Sequence, residues 1–310
     1  MILVADIVLP VFGLVLLGFV SGRLGWIGEA AIEGLSTFVF TFAIPVMLFR
    51  SAATASLPHS MPWSYLLAYY GSTLCVFGGA ILAARALGLR GAALPIFAMS
   101  ASYSNVVLLG IPLIIAALGD AARVPLYIII STHAAMMFMV TTFGAETARG
   151  DTKGLLSLPL QTARVLLRNM IVVGLLLGLA VNLAGFTLPG ALDKMAAYLG
   201  GAALPCAVFS MGASISRYRI SGDIARIGVA LALKNCVHPL IVWVVATQVF
   251  RLPDAWTATA VLLAACPSGI NAYLFANRYR EIVPVAATVV VLSTLVSIPI
   301  LSVALYVVIH

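Results

Sequence analysis

Two short polar stretches interrupt otherwise apolar runs: Ser102-Tyr103-Ser104-Asn105, followed by Gly110 and Pro112, and Cys266-Pro267-Ser268-Gly269-Ile270-Asn271. Proline lacks the N–H a helix needs and glycine weakens helical preference, so each stretch can open the backbone. A helix restarting after such an opening presents free N–H donors and roughly half a positive charge, which suits a carboxylate or another anion. Asn105 and Asn271 add neutral donors and acceptors beside the openings without burying a charge. Either stretch alone reads as a proline kink with asparagine bonding a neighbouring helix. As a matched pair they read as one binding site, formed by Tyr103, Ser104, Asn105, Gly110 and Pro112 with Pro267, Ser268, Gly269, Ile270 and Asn271.

Three titratable residues are candidates for a charge or proton role. Lys234 lies near the middle of an apolar run, beside Asn235 and close to His238-Pro239. A central lysine costs about 2.5–3.5 kcal/mol on insertion scales, which makes it a functional candidate by default. It could attract an anion or change protonation; alternatively its long side chain snorkels to the cytoplasmic end of the run. His133, about two turns into its own run, either titrates near neutral pH or stays neutral as a hydrogen bond between helices. His238 is the third.

None of the ten acidic residues falls near the middle of an apolar run, so a coupling site built on paired buried aspartates is unsupported. Ion coupling would have to use the substrate carboxylate, His, Lys or backbone carbonyls. The four cysteines, Cys75, Cys206, Cys236 and Cys266, lack CxxC or metal-ligand spacing and read as small packing residues. Without GxSG, HExxH or a central aspartate pair, neither an enzyme nor a cofactor or metal is expected.

The elements that position these residues follow from composition. The chain has 63% hydrophobic and 9% charged residues, against roughly a quarter charged in soluble domains. Lipid is therefore the expected solvent and the bilayer the first partner. The net charge of +7 lies in short loops between apolar runs, which points to membrane orientation and not to nucleic acid.

Ten apolar runs are expected as membrane helices: Leu3 to Val20, Ala30 to Arg50, Ser64 to Ala84, Ala92 to Leu118, Val124 to Glu146, Arg168 to Phe186, Leu192 to Ser214, Ile224 to Phe250, Ala255 to Asn277 and Val283 to Ile309. The N-terminal run lacks a basic leader and a cleavage site, so it reads as a first span. Twelve of the 17 Lys and Arg fall on the side of the central loop, which predicts a cytoplasmic loop and both termini outside.

The halves match at a constant offset: Gly18 with Gly178, Gly22 with Asn182, Gly25 with Gly185, Pro45 with Pro205 and Phe49 with Phe209 are each 160 residues apart. Five spans per half make such a repeat inverted. The expected units are residues 1–148, a connecting loop at 149–167, and residues 168–310.

The runs from Asn105 to Pro112 and from Pro267 to Tyr279 resemble the fourth and ninth helices of the auxin efflux carrier family, including its bacterial malonate-transporter-like members. The stretch from Phe38 to Pro45 resembles that family's second helix, and the likeness spans the whole chain. It implies an all-α membrane protein of ten transmembrane helices, a 5+5 inverted repeat of the sodium/proton-antiporter and bile-acid-symporter type. Helices one, two, six and seven would form a scaffold and the other six a transport unit, with broken helices four and nine crossing at the substrate. Plant members usually carry proline just before the helix-four asparagine, where this chain has Ser104, and their long hydrophilic loop is absent.

The resemblance implies a carrier of a small organic anion, such as malonate or an auxin-like acid, in a bacterial inner membrane. A homodimer through the scaffold helices is compatible with it. The alternatives are a sodium-coupled bile-acid-type symporter and a membrane sensor that binds without transport.

Overall fold

The computed structural model describes residues 2–55, 62–150, 167 and 169–309. Most of the expected loop at 149–167, and Arg168 at the start of the sixth run, lie outside the described residues. The described secondary structure is helical, apart from one isolated antiparallel bridge. That is the expected outcome for an apolar chain, because an α-helix satisfies its backbone polar groups within one segment.

In chain order the helices are α1 (Ile2–Arg23), α2 (Glu29–Phe38), α3 (Ile44–Ala53), α4 (Trp63–Ala86), α5 (Ala93–Ser102), α6 (Ile111–Leu118) and α7 (Arg123–Arg149). The second half continues with α8 (Met170–Leu183), α9 (Gly190–Gly201), α10 (Ala203–Ile215), α11 (Ile224–Leu231), α12 (His238–Val244), α13 (Asp254–Ala265), α14 (Ile270–Tyr279) and α15 (Val283–Ile309). By length and composition, seven helical stretches of the described residues can cross a membrane; α5, α8 and α13 are shorter apolar helices.

Proline accounts for much of the segmentation. The π-helical segments Val39–Ala43, Val106–Gly110 and Ala232–Val237 lead directly into α3, α6 and α12, each of which has proline as its second residue: Pro45, Pro112 and Pro239. A proline ring collides with the carbonyl four residues back and offers no N–H to it. Widening the preceding turn by one residue relieves that clash while the rod continues. Pro112 and Gly110 therefore lie inside a widened helix, and the interruption falls earlier, at Tyr103 to Asn105. Of the stretch expected to open, from Ser102 to Pro112, it is the Tyr103–Asn105 end that does so.

Small residues set the closest approaches. A Cβ added at Gly18 or Gly212 would run into backbone of the facing helix, because α1 and α10 touch at Phe209 O and Val15 O. The same holds at Gly174 and Gly178, where α8 meets Pro45 O and Phe49 O of α3. Such contact lets dispersion act along whole helix faces where lipid removes the hydrophobic drive for association. At one end, Arg50 grips Asp193 through two bonds of 2.6 and 3.0 Å, tying α3 to α9. Asn182 donates to the carbonyls of Ala52, Ala53 and Ala55, satisfying the end of α3.

Gly18→Ala and Gly178→Ala should each destabilise the protein by about 1–3 kcal/mol, since each methyl meets backbone that cannot step aside. Gly13→Ala, with nothing within 4 Å of the added carbon, should leave thermal unfolding in detergent unchanged or slightly higher.

Candidate functional site

The two interruptions meet. Asn105 N donates to Pro267 O at 2.9 Å and Gly269 N donates to Tyr103 O at 3.0 Å, a two-bond antiparallel bridge centred on Ser104 and Ser268. The second break has a direct sequence cause. A residue before proline is pushed out of the helical region, and Cys266 ends α13 in extended conformation with φ −56° and ψ 149°. The first break has no proline. Tyr103 is extended at φ −75° and ψ 114°, and Asn105 then caps the following turn by accepting from Leu108 N at 3.2 Å.

The N–H groups of the extended residues at the bridge all have partners. Tyr103 N bonds Met99 O, Ser104 N bonds His133 Nε2 at 3.3 Å, and Ser268 N bonds Ser293 Oγ at 2.9 Å. Asn105 N and Gly269 N make the bridge, and Pro267 has none to place. The Ser268 hydroxyl is used too, donating to Ser100 O at 2.9 Å. Irregular backbone at membrane depth survives only when satisfied in this way.

On one side of the bridge lies a cavity of about 370 Å³, within the usual range for small-ligand pockets. Tyr103, Ser104, Asn105, Gly269, Ile270 and Asn271 line it from the broken segments. Its opposite wall includes Ser36, Asn169, Ser210 and Ser214, from α2, the residue before α8, and α10. The residues that begin the following helical segments line this region as well, Ile270 and Asn271 in the first turn of α14 and Val107 after Asn105, and the first turn of a helix holds N–H groups with no partner inside it. Asn105 Nδ2 reaches Met211 Sδ at 3.4 Å, and Asn271 Nδ2 bonds Tyr103 OH at 2.8 Å. Reversing the Asn271 amide would let Tyr103 donate and turn the NH₂ group to the cavity, so this residue can offer either polarity.

The described lining residues include no Asp, Glu, Lys or Arg. The electrostatics available to a ligand are backbone N–H groups, helix dipoles and neutral amides, a combination that favours negative charge. Among the described residues, no three of His, Cys, Asp and Glu come together as metal ligands.

The remaining sequence candidates divide. Gly110, Pro112, Pro267 and Ser268 lie outside the lining; the last two build the bridge, and Gly110 packs near Leu263 and Cys266. His133 is wholly buried and serves as acceptor for Ser104 N, with its ring stacked 4.8 Å from Tyr103. Lys234 is wholly buried, with Nζ 2.6 Å from Ala264 O, so the snorkelling alternative is not adopted. His238 lies beside it. Sequence reasoning missed Met211, Ser100 and Ser293. Ser293 and Ser100 left a trace, each as a polar residue within an apolar run, and Met211 left none.

A family model described as "Membrane transport protein" matches residues 3–305 of this chain. The chain is also 27% identical over 306 residues to a protein of Rhizobium meliloti (strain 1021) named "Putative malonate transporter", covering 98% of this chain and 95% of that one.

His133→Leu should cost about 1–3 kcal/mol by leaving Ser104 N–H buried without an acceptor. His133→Gln, which retains an acceptor, should cost less. Denaturation of the detergent-solubilised protein ranks the two.

Proposed function

The chain belongs to the membrane transport protein family, the family of auxin efflux carriers and malonate transporters, and on that premise we propose that it carries a small organic anion, a mono- or dicarboxylate, by alternating access around the helix crossing. The observation that carries this reading is the bridge between Tyr103–Asn105 and Pro267–Gly269, which brings two helix beginnings and two asparagines to one cavity. A carboxylate seated there would accept from Val107 N, Ile270 N and Asn271 N, with amide groups completing its shell. A substrate of the malonate class agrees with the name of the Rhizobium relative.

The architecture proposed with it is ten transmembrane helices in two inverted halves, with both termini outside and the central loop in the cytoplasm. Support for two spans within Val106–Arg149 comes from its 44 residues, about 66 Å at 1.5 Å per residue and more than twice the hydrocarbon core. The 3₁₀ turn Gly119–Ala122, with Gly119 at φ 58°, is a natural boundary between them. Support for the repeat comes from equivalent contacts: Gly18 abuts Phe209 O and Gly178 abuts Phe49 O, and both glycines and both phenylalanines stand 160 residues apart. These glycine contacts join α1 to α10 and α3 to α8, the proposed scaffold. The cavity between that scaffold and the broken helices is where rocking of one unit against the other would alternate access.

In proteoliposomes, the wild type should take up radiolabelled malonate saturably, and Asn105→Ala or Asn271→Ala should each reduce uptake at least about tenfold, the loss expected when a polar ligand group goes unpaired. Size-exclusion profiles should be unchanged. Normal uptake by both variants would remove the crossing as the site, and binding without uptake by the wild type would favour a sensor.

A further inference from the structure

Lys234 is the only described Lys or Arg with a buried side chain. Its surroundings fix both its position and its protonation partners. Thr73 donates its hydroxyl proton to Tyr69 O at 2.8 Å, so Thr73 Oγ1 is left to accept from His238 Nε2 at 3.0 Å. His238 Nδ1 is then a lone pair, and Lys234 Nζ stands 3.4 Å from it. The ammonium's second partner is Ala264 O at 2.6 Å, next to the last residue of α13.

A cation at a helix C-terminus meets about half a negative charge, so this arrangement compensates Lys234 only in part. The usual remainder is a carboxylate, and none of the described Asp or Glu residues is buried. The other titratable groups recorded against it, His238, His133 and Cys266, supply no carboxylate. Three residues beyond Ala264 the chain reaches the bridge, and at Gly269 it reaches the cavity. The crossing thus has the Lys234 amine behind it, at the carbonyl end of α13, and two helix beginnings in front, with no buried Asp or Glu among the described residues.

We propose that Lys234 is the fixed counter-charge of the carrier, the residue that makes the crossing accept anions and reject neutral analogues of the same shape. This rests on the reading of the cavity as the substrate site. His238 and Thr73 hold the ammonium in place and do not touch the ligand. Insertion of an anion completes the compensation that the protein leaves unfinished, so affinity follows the ligand's charge as well as its fit.

The test uses the purified full chain and ligand-induced thermal shifts, which scale with affinity. Malonate should stabilise the wild type, and malonamide, its neutral analogue, should bind on the order of tenfold more weakly or not at all. Lys234→Gln, which keeps a donor for Ala264 O, should lose on the order of tenfold in malonate affinity while its response to malonamide is unchanged; Lys234→Arg should retain most of the malonate response. Should Lys234→Gln fail to fold, Lys234→Met is the second neutral variant, and the wild-type comparison of malonate with malonamide needs no variant at all. Equal responses of the wild type to both ligands, or undiminished malonate affinity in a folded neutral variant, overturn the counter-charge while leaving the site intact. No stabilisation by malonate or any other carboxylate overturns the site reading, and the counter-charge falls with it.

Discussion

Unpaired backbone is what lipid penalises most, and the bridge at Ser104 and Ser268 answers that penalty. Two helices that each stop in mid-course release N–H and C=O groups where no water is available to take them. Here each break supplies the other's partners: Asn105 N to Pro267 O, and Gly269 N to Tyr103 O. Neither break would be tolerable alone. Once they are paired, the helix beginnings that follow are left beside the cavity, which is where the proposed function seats its ligand.

The rest of the fold serves that crossing. His133 from α7 and Ser293 from α15 hold the two N–H groups the bridge does not use. Lys234 holds the carbonyl end of α13. On the far side, α1 with α10 and α3 with α8 pack backbone to backbone through glycines, giving the cavity a stiff opposite wall. Catalysis of movement in such an arrangement needs no reactive group. The proposed alternating access would need two bodies that keep their own packing while the surface between them changes access.

How legible this was depends on where the cause lies in the chain. The second break could be read from Cys266-Pro267, because proline restricts its predecessor locally. The first break could be located only approximately: Pro112 drew attention to the wrong turn, since a π-helical widening absorbs it, and the true opening depends on Asn105, His133 and Pro267 from three separate segments. Asn105 and Asn271 were recoverable because amides are rare in apolar runs. Ser100 and Met211 were not, because their roles are set by which helices adjoin. Lys234 stood out in sequence, yet its direction was open, and the carbonyl of Ala264 thirty residues away decided it. The number of spans was less legible: seven stretches of the described residues are long and apolar enough to cross, the breaks shorten α5 and α13, and Val106–Arg149 runs as one helical stretch.

The central claim is that an anion sits at the crossing and is held by helix beginnings and amides. A structure determined with saturating malonate tests it most directly. The account predicts a carboxylate within hydrogen-bonding distance of Val107 N or of Ile270 N and Asn271 N, beside Asn105. Malonate bound elsewhere in the protein, with the crossing cavity empty, would contradict it.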